Sequence, residues 1–264
     1  MIVIGVILIL VAAGLLWSSR SSNKKVAQLS LVQRRTAAEL TSLSTSIASE
    51  LGAGNFREPV ELVGSITCAD PLVSPLGQRP CVHYQMSVVR RYEEDAWRKD
   101  SNGRRERYTQ SGTETVNDES QSRQFMIDDG TGQVLVMPEG ADFDELETSV
   151  SRFEPGQGES ATLRFGDFTL SLPSGGGGGR QTLGYQYEEK IVPPGGRVTV
   201  IGQATDRNGT LAVVTSPEHP LTVSHESREE QIESGERGAR FKLIAAGAAA
   251  LLGIVLIVIG IVTG

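Results

Sequence analysis

Two cysteines, Cys68 and Cys81, and three histidines are the residues with the most reactive side chains, and His83 follows Cys81 by two positions. Nucleophilic catalysis needs a thiol or hydroxyl beside a base that a third group orients. On a strand, positions 81 and 83 point to one face, so Cys81 and His83 are spaced as a nucleophile and its base, and the chemistry would be that of a membrane-tethered hydrolase. Gln85 and Ser87 share that face and mark it as the wetter one. No third or fourth ligand accompanies the pair, which argues against a metal site. The Pro-containing stretch Ala69–Pro80 could bring Cys68 and Cys81 together. A disulfide and two reduced structural cysteines both remain open, the reduced pair being favoured on a cytoplasmic side.

The other polar clusters have simpler readings. Asp142, Asp144, Glu145 and Glu147 lack the turn glycine and the ligand alternation of a calcium loop, so they read as a solvated acidic loop. Asp128 and Asp129 precede Gly130-Thr131-Gly132, and hairpin chemistry explains them. The glycine run in PSGGGGGR (173–180) has no Lys-Ser/Thr after it, so it is a flexible loop and not a phosphate cradle. No catalytic residue, metal or cofactor is expected.

These residues are carried by a charged middle between two uncharged ends. The chain has 264 residues with 25 Lys+Arg, 32 Asp+Glu and a formal net charge of −7. Residues 1–19 and 243–264 hold no Lys, Arg, Asp or Glu. A net acidic chain lacks the basic face that replaces counterions on phosphate, which excludes a nucleic-acid partner. LIAAGAAALLGIVLIVIGIVT (243–263) is about 32 Å long as a helix, matching a bilayer core of about 30 Å. MIVIGVILILVAAGLLW (1–17) reads as a second, retained span with Trp17 as an interfacial anchor. Arg20, Lys24 and Lys25 follow the first stretch, and Arg237, Arg240 and Lys242 precede the second. The positive-inside rule then places both termini outside and the middle on the cytoplasmic side, making a two-pass integral membrane protein.

The organisation expected is a transmembrane helix at 1–17 and a juxtamembrane segment with an amphipathic helix at 18–52. A β-rich domain follows at 53–222, then a helical connector at 223–240 and a transmembrane helix at 241–263. Thr36-Ala-Ala-Glu39 is a capping box, with Leu40, Leu43, Ile47 and Leu51 at helical spacing and Gly52 as a stop. A helix packed on its own domain is favoured over one on the membrane surface. From Val60 the period becomes two. Strands are expected at 60–68, 82–92, 124–128, 133–137, 197–202 and 210–215. Their order, with central glycines Gly64 and Gly202, points to a mainly β (α+β) fold. It is an OB-like β-barrel with a long hairpin insertion, flanked by the two transmembrane helices. Val134, Val136, Val198 and Val200 are expected in its core.

The insertion is residues 93–117, centred on Asn102-Gly103. A two-residue turn there opposes residues whose numbers sum to 205. That register sets Trp97 against Tyr108, Lys99 against Glu106 and Asp100 against Arg105. Trp97 and Tyr108 would then form an aromatic patch on a charged arm, a candidate contact for a protein partner whose identity the sequence does not give.

LGYQYEEKIVPPGGRVTVIGQA (183–204) closely resembles the signature of the GIDE domain. CADPLVSPLGQRPCVHYQMSV (68–88), FMIDDGTGQVLVMPEGA (125–141) and SHESREEQIESGERGAR (224–240) are similar to the family's pattern as well, so the resemblance covers about residues 50–260. GIDE domains occur in mitochondrial membrane-anchored RING ubiquitin ligases and in shorter prokaryotic relatives. The resemblance implies two spans with a β-rich domain between them. In the ligases it also implies a RING finger after the second span, which recruits a ubiquitin-loaded conjugating enzyme. Two Cys and three His cannot supply the eight ligands of that finger. The expectation is therefore a short relative without the RING, a non-catalytic interaction or membrane-sensing module whose partners are the lipid bilayer and an unidentified protein. An E3 ubiquitin-protein transferase of GIDE type is the alternative. In the mitochondrial relatives the β domain faces the intermembrane space, opposite to the side that the Lys/Arg distribution gives.

Overall fold

The computed structural model describes residues 32–99, 103–156, 162–165, 168–171, 180–207 and 209–225, with residues 14, 244–248 and 252 of the apolar ends. In chain order the elements begin with β1 (Gln33–Arg34), α1 (Ala37–Leu51), β2 (Arg57–Thr67), β3 (Leu72–Val73), β4 (Pro80–Cys81), β5 (His83–Lys99) and β6 (Arg105–Ser122). Next come β7 (Phe125–Asp128), β8 (Gln133–Val136), β9 (Asp142–Asp144), β10 (Glu147–Pro155), β11 (Thr162–Phe165) and β12 (Phe168–Ser171). The last four are β13 (Arg180–Val192), β14 (Arg197–Thr205), β15 (Ala212–Val214) and β16 (Thr222–Ser224).

Five strands close into a barrel, in the order β2, β7, β8, β15, β14 and back to β2. They are five of the six strands expected from the sequence, all but 82–92. β8 and β15 pair in parallel, while β2/β7, β7/β8, β14/β15 and β14/β2 are antiparallel. Closure removes the free edges that an open sheet would expose. Alternation in β8 sends Val134 and Val136 inward, and β14 contributes Val198 and Val200, all at most 2% exposed. Val60, Leu62, Ile66, Phe125, Ile127 and Val213 fill the rest of the same core. Fully burying a side chain of this size contributes roughly 1.5–3 kcal/mol, so this cluster is the main source of stability.

Gly64 and Gly202 earn their places by close approach. A Cβ on Gly64 would lie 2.4 Å from the Asp128 carbonyl oxygen, and one on Gly202 would lie 2.9 Å from both Leu221 and Val213 side chains. Neither distance is tolerated, so the barrel can draw its strands together only where these residues have no side chain.

Helix α1 closes one end of the barrel. The capping box forms as expected: the Thr36 hydroxyl accepts from Glu39 N, and the Glu39 carboxylate accepts from Thr36 N. The Asp-Asp-Gly-Thr-Gly turn between β7 and β8 adds to the cap. Asp129 Oδ2 accepts from Ala37 N at 2.8 Å, and Thr131 Oγ1 accepts from Ala38 N at 3.1 Å. The turn thus satisfies helix N–H groups that would otherwise lack partners. Ala37 and Leu40 are buried against the barrel core and Leu43 and Ile47 pack on it, so α1 packs on its own domain.

The second sheet has the order β10, β13, β5, β6, all antiparallel. It joins the barrel through the turn after Val192, where Gly195 N donates to the Ile66 carbonyl and Ile66 N donates to the Gly196 carbonyl. The strand expected at 82–92 runs from His83 to Lys99, and Tyr84, Met86 and Val88 are buried on one of its faces. β10 and β13 were not anticipated as strands.

Two boundaries need correction. Residues 222–224 form a strand beside β14 and β9 and are not the start of a helical connector. Arg180, placed in the glycine loop, begins β13. The rest of that loop, the connector beyond Ser224 and nearly all of both apolar stretches lie outside the described residues. Gly14, residues 244–248 and Leu252 within those stretches are helical. Among the described residues no helix is long and apolar enough to cross a membrane.

Candidate interaction surface

β5 and β6 form a hairpin much longer than the sheet that supports it. β5 pairs with β13 from His83 to Glu94, where Glu94 opposes Arg180. Among the described residues only β6 accompanies it past Glu94, to the pair Lys99–Arg105. Five residues at about 3.3 Å each carry this two-stranded tip about 17 Å beyond the sheet. A lone two-stranded ribbon is marginal in water, so its stem needs reinforcement.

One face of the stem supplies it. Arg90 pairs with Glu114 at 2.7 Å and Arg180 with Glu94 at 2.7 Å, and both guanidinium groups lie over the Tyr92 ring, at 5.4 and 4.7 Å. Further out, Arg98 pairs with Glu106 at 2.9 Å and lies 5.6 Å from the Tyr108 ring. Single exposed pairs contribute little, but these repeat from strand to strand along the arm. Tyr92 opposes Gly112, and a Cβ on Gly112 would sit 2.6 Å from its Cζ. Gly112 is therefore the seat for the Tyr92 ring.

That seat explains a correction. The cross-strand numbers at the tip sum to 204, not 205: Trp97 opposes Arg107 and Tyr108 opposes Ala96. A one-residue slip sends every side chain to the other face, so Trp97 and Tyr108 lie on opposite faces and form no joint patch. Gly103 has a φ of +77°, as in hairpin loops longer than two residues that end on a left-handed glycine. The observed register opposes Tyr92 to Gly112 and Arg98 to Glu106. The 205 register would have set Tyr92 against Thr113 and Arg98 against Arg107. Its cost is Lys99 opposite Arg105. Trp97 is 64% exposed and Tyr108 37%.

The structure separates the other pair singled out by spacing. A bend at Val82, which turns into the barrel core, breaks the strand between Cys81 and His83. Cys81 packs with Leu72, Tyr84 and Ile191. His83 stacks on Phe143, with ring centroids 3.8 Å apart, and its Nδ1 lies 2.8 Å from Ser122 Oγ. Burial, with the Glu189 charge adding to it, pushes the Cys81 thiol up to about 11. A thiol that stays protonated at neutral pH is a poor nucleophile. Cys68 and Cys81 are both free. A maleimide is expected to label half-buried Cys68 on the native protein and Cys81 only after unfolding; mass spectrometry of the labelled peptides checks the order.

Burial holds the His83 imidazole down to about 4, against 6.5 for a free imidazole. The unfolded chain therefore takes up this proton as the pH falls below 6.5, while the folded chain does so only near 4. Stability contributed through His83 falls across that window as the pH drops, by up to about 3 kcal/mol. Denaturant titrations at pH 7, 5.5 and 4 should show a smaller acid loss for His83→Phe than for wild type.

Other polar features are structural. Glu189, fully buried, accepts from Leu76 N at 2.6 Å and Gly77 N at 2.9 Å, holding the loop before β4 against the sheet. In the sequence it is one of two adjacent glutamates on a strand that was not foreseen. A shallow groove of about 570 Å³ beside α1 is lined by Ala38, Thr41, Ser42, Thr45, Ser46 and residues of the β7–β8 turn. The Thr41 and Thr45 hydroxyls are turned back onto helix carbonyls. Among the described residues no group of three or more His, Cys, Asp or Glu could hold a metal ion.

The site is thus a surface: a closed barrel carrying a reinforced arm with an exposed aromatic tip. The family described as "GIDE: E3 Ubiquitin ligase" matches residues 93–259, from the outer stem of the arm through β13 and β14 into the second apolar stretch. The chain belongs to the GIDE family. No curated protein matches it, and no solved structure does.

Proposed function

We propose that the chain is a membrane-anchored, non-catalytic interaction module of the GIDE family, an OB-type barrel that presents the β5–β6 arm as its contact element. The observation that carries this reading is the tip: the strands continue five residues past their last support among the described residues and end beside a Trp that is 64% exposed. Large exposed aromatics of this kind anchor interfaces. The uncharged stretches at 1–19 and 243–264 support anchoring, and the flanking Lys/Arg support a cytoplasmic-facing domain. A cysteine introduced into the 173–180 loop is then expected to resist membrane-impermeant thiol reagents in intact cells; ready labelling would reverse the orientation.

Cross-linking in native membranes tests the arm. Trp97→Ala and Tyr108→Ala should each lower adduct yield, Trp97→Ala more, because Trp97 is the more exposed. Unchanged yield in both removes the arm from the reading. The family's description supports a second reading, participation in ubiquitin transfer. Ubiquitin conjugates formed by the purified chain with activating and conjugating enzymes and zinc would favour it.

A further inference from the structure

We infer that the tip of the arm docks on an anionic lipid surface, with Lys99 and Arg105 against the headgroups and Trp97 at the interface. The inference rests on the arm being the contact element and assigns its occupant. Charge is segregated along the hairpin. Between the cross-strand partners Ala96 and Tyr108 there are five Lys/Arg and two Asp/Glu, net +3, in a chain whose net charge is −7. The stem, 83–95 with 109–122, has two Arg against six Asp/Glu, net −4. The tip is therefore the end that an anionic surface attracts.

The positive charges are also unevenly placed on the tip itself. Arg98 is paired with Glu106, and Arg107 with Asp95. Lys99 and Arg105 oppose each other directly, both exposed, and neither has an ion pair among the described residues. Directly opposed like charges destabilise a strand pair. The register tolerates this at the one position where a polyanionic surface would relieve it. Trp97 shares that face, because it opposes Arg107 two residues along from the Lys99–Arg105 pair. An exposed Trp beside two unpaired cations is the composition of a bilayer interface, where indole sits at headgroup depth and each Lys or Arg adds attraction to anionic lipid. An acidic protein would use the cations equally well. The exposed Trp at the extreme end of a ribbon, together with the apolar ends of the chain, favours lipid.

The test uses the full chain in nanodiscs of neutral phosphatidylcholine, offered to separate vesicles in a flotation assay. Vesicles containing phosphatidylglycerol should float the nanodiscs and pure phosphatidylcholine vesicles should not. The binding should disappear as salt rises from about 0.1 M to about 1 M. Lys99→Glu with Arg105→Glu should weaken it by about tenfold or more. Trp97→Ala should weaken it while keeping the salt dependence. These side chains lie outside both cores, so the variants should melt as wild type does. Equal flotation with neutral and anionic vesicles, or binding indifferent to the double reversal, overturns the inference. So does tip-dependent binding of soluble polyglutamate without vesicle binding, which assigns the tip to an acidic protein. A chain that stays out of nanodiscs overturns the anchored reading instead; floated directly with the same vesicles, it still decides the tip by the same comparisons.

Discussion

Val198→Asp is expected to abolish the folded barrel. Val198 is 2% exposed on β14, directly opposite Gly64, whose backbone is pressed against the Asp128 carbonyl. A carboxylate there would be buried among the apolar side chains of the barrel core. An unpaired buried charge costs several kcal/mol, a large share of the 5–15 kcal/mol that typically holds a domain together. Circular dichroism melts and limited proteolysis should show an unfolded or protease-labile middle. Val198→Ile, which keeps the apolar character, should retain the cooperative melt. A wild-type melt for Val198→Asp would mean that β14 does not face the core.

Glu189→Ala is expected to produce the second largest loss, about 3 kcal/mol. Its two oxygens accept the Leu76 and Gly77 amides, and a buried donor left without an acceptor costs about 1–3 kcal/mol. Leu76 packs with Met86 and Tyr187 only while that loop is held. The loss should therefore appear in two measurements: a lower denaturation midpoint, and faster hydrogen exchange at the Leu76 and Gly77 amides in the released loop. Glu189→Gln retains one good acceptor and should fall between wild type and Ala. Wild-type stability and unchanged exchange in Glu189→Ala would mean that the loop is held by other contacts.

The barrel was legible because its strands follow rules that act locally. β7 and β8 carry short apolar runs, 125–127 and 134–136, around a glycine turn, and Gly64 and Gly202 mark places of close approach. The capping box at Thr36–Glu39 defines α1 from four residues. What the sequence could not display depends on distant contacts. β13 carries Gln, Glu and Lys on its open face and follows a glycine run, so its period is diluted. The register of the arm is fixed ten residues from its turn, by Tyr92 lying over Gly112, while the Asn-Gly signal points to a shorter loop. A strand glycine opposite an aromatic was the available clue. Cys81 and His83 looked joined because period-two reasoning assumes an unbroken strand, and the bend at Val82 separates them. β14 showed its core residues Val198 and Val200, but not that Thr199 and Ile201 on its other face are buried as well.

The most direct measurement replaces Trp97 with a photoreactive phenylalanine analogue and illuminates the full chain in its native membrane. A second protein carries the same analogue at Leu51, which is 69% exposed at the end of α1 and has no assigned contact. If the arm is the contact element, adducts to lipid or protein form at position 97 well above the level at position 51. Equal yields at the two positions, or none at 97, would contradict it.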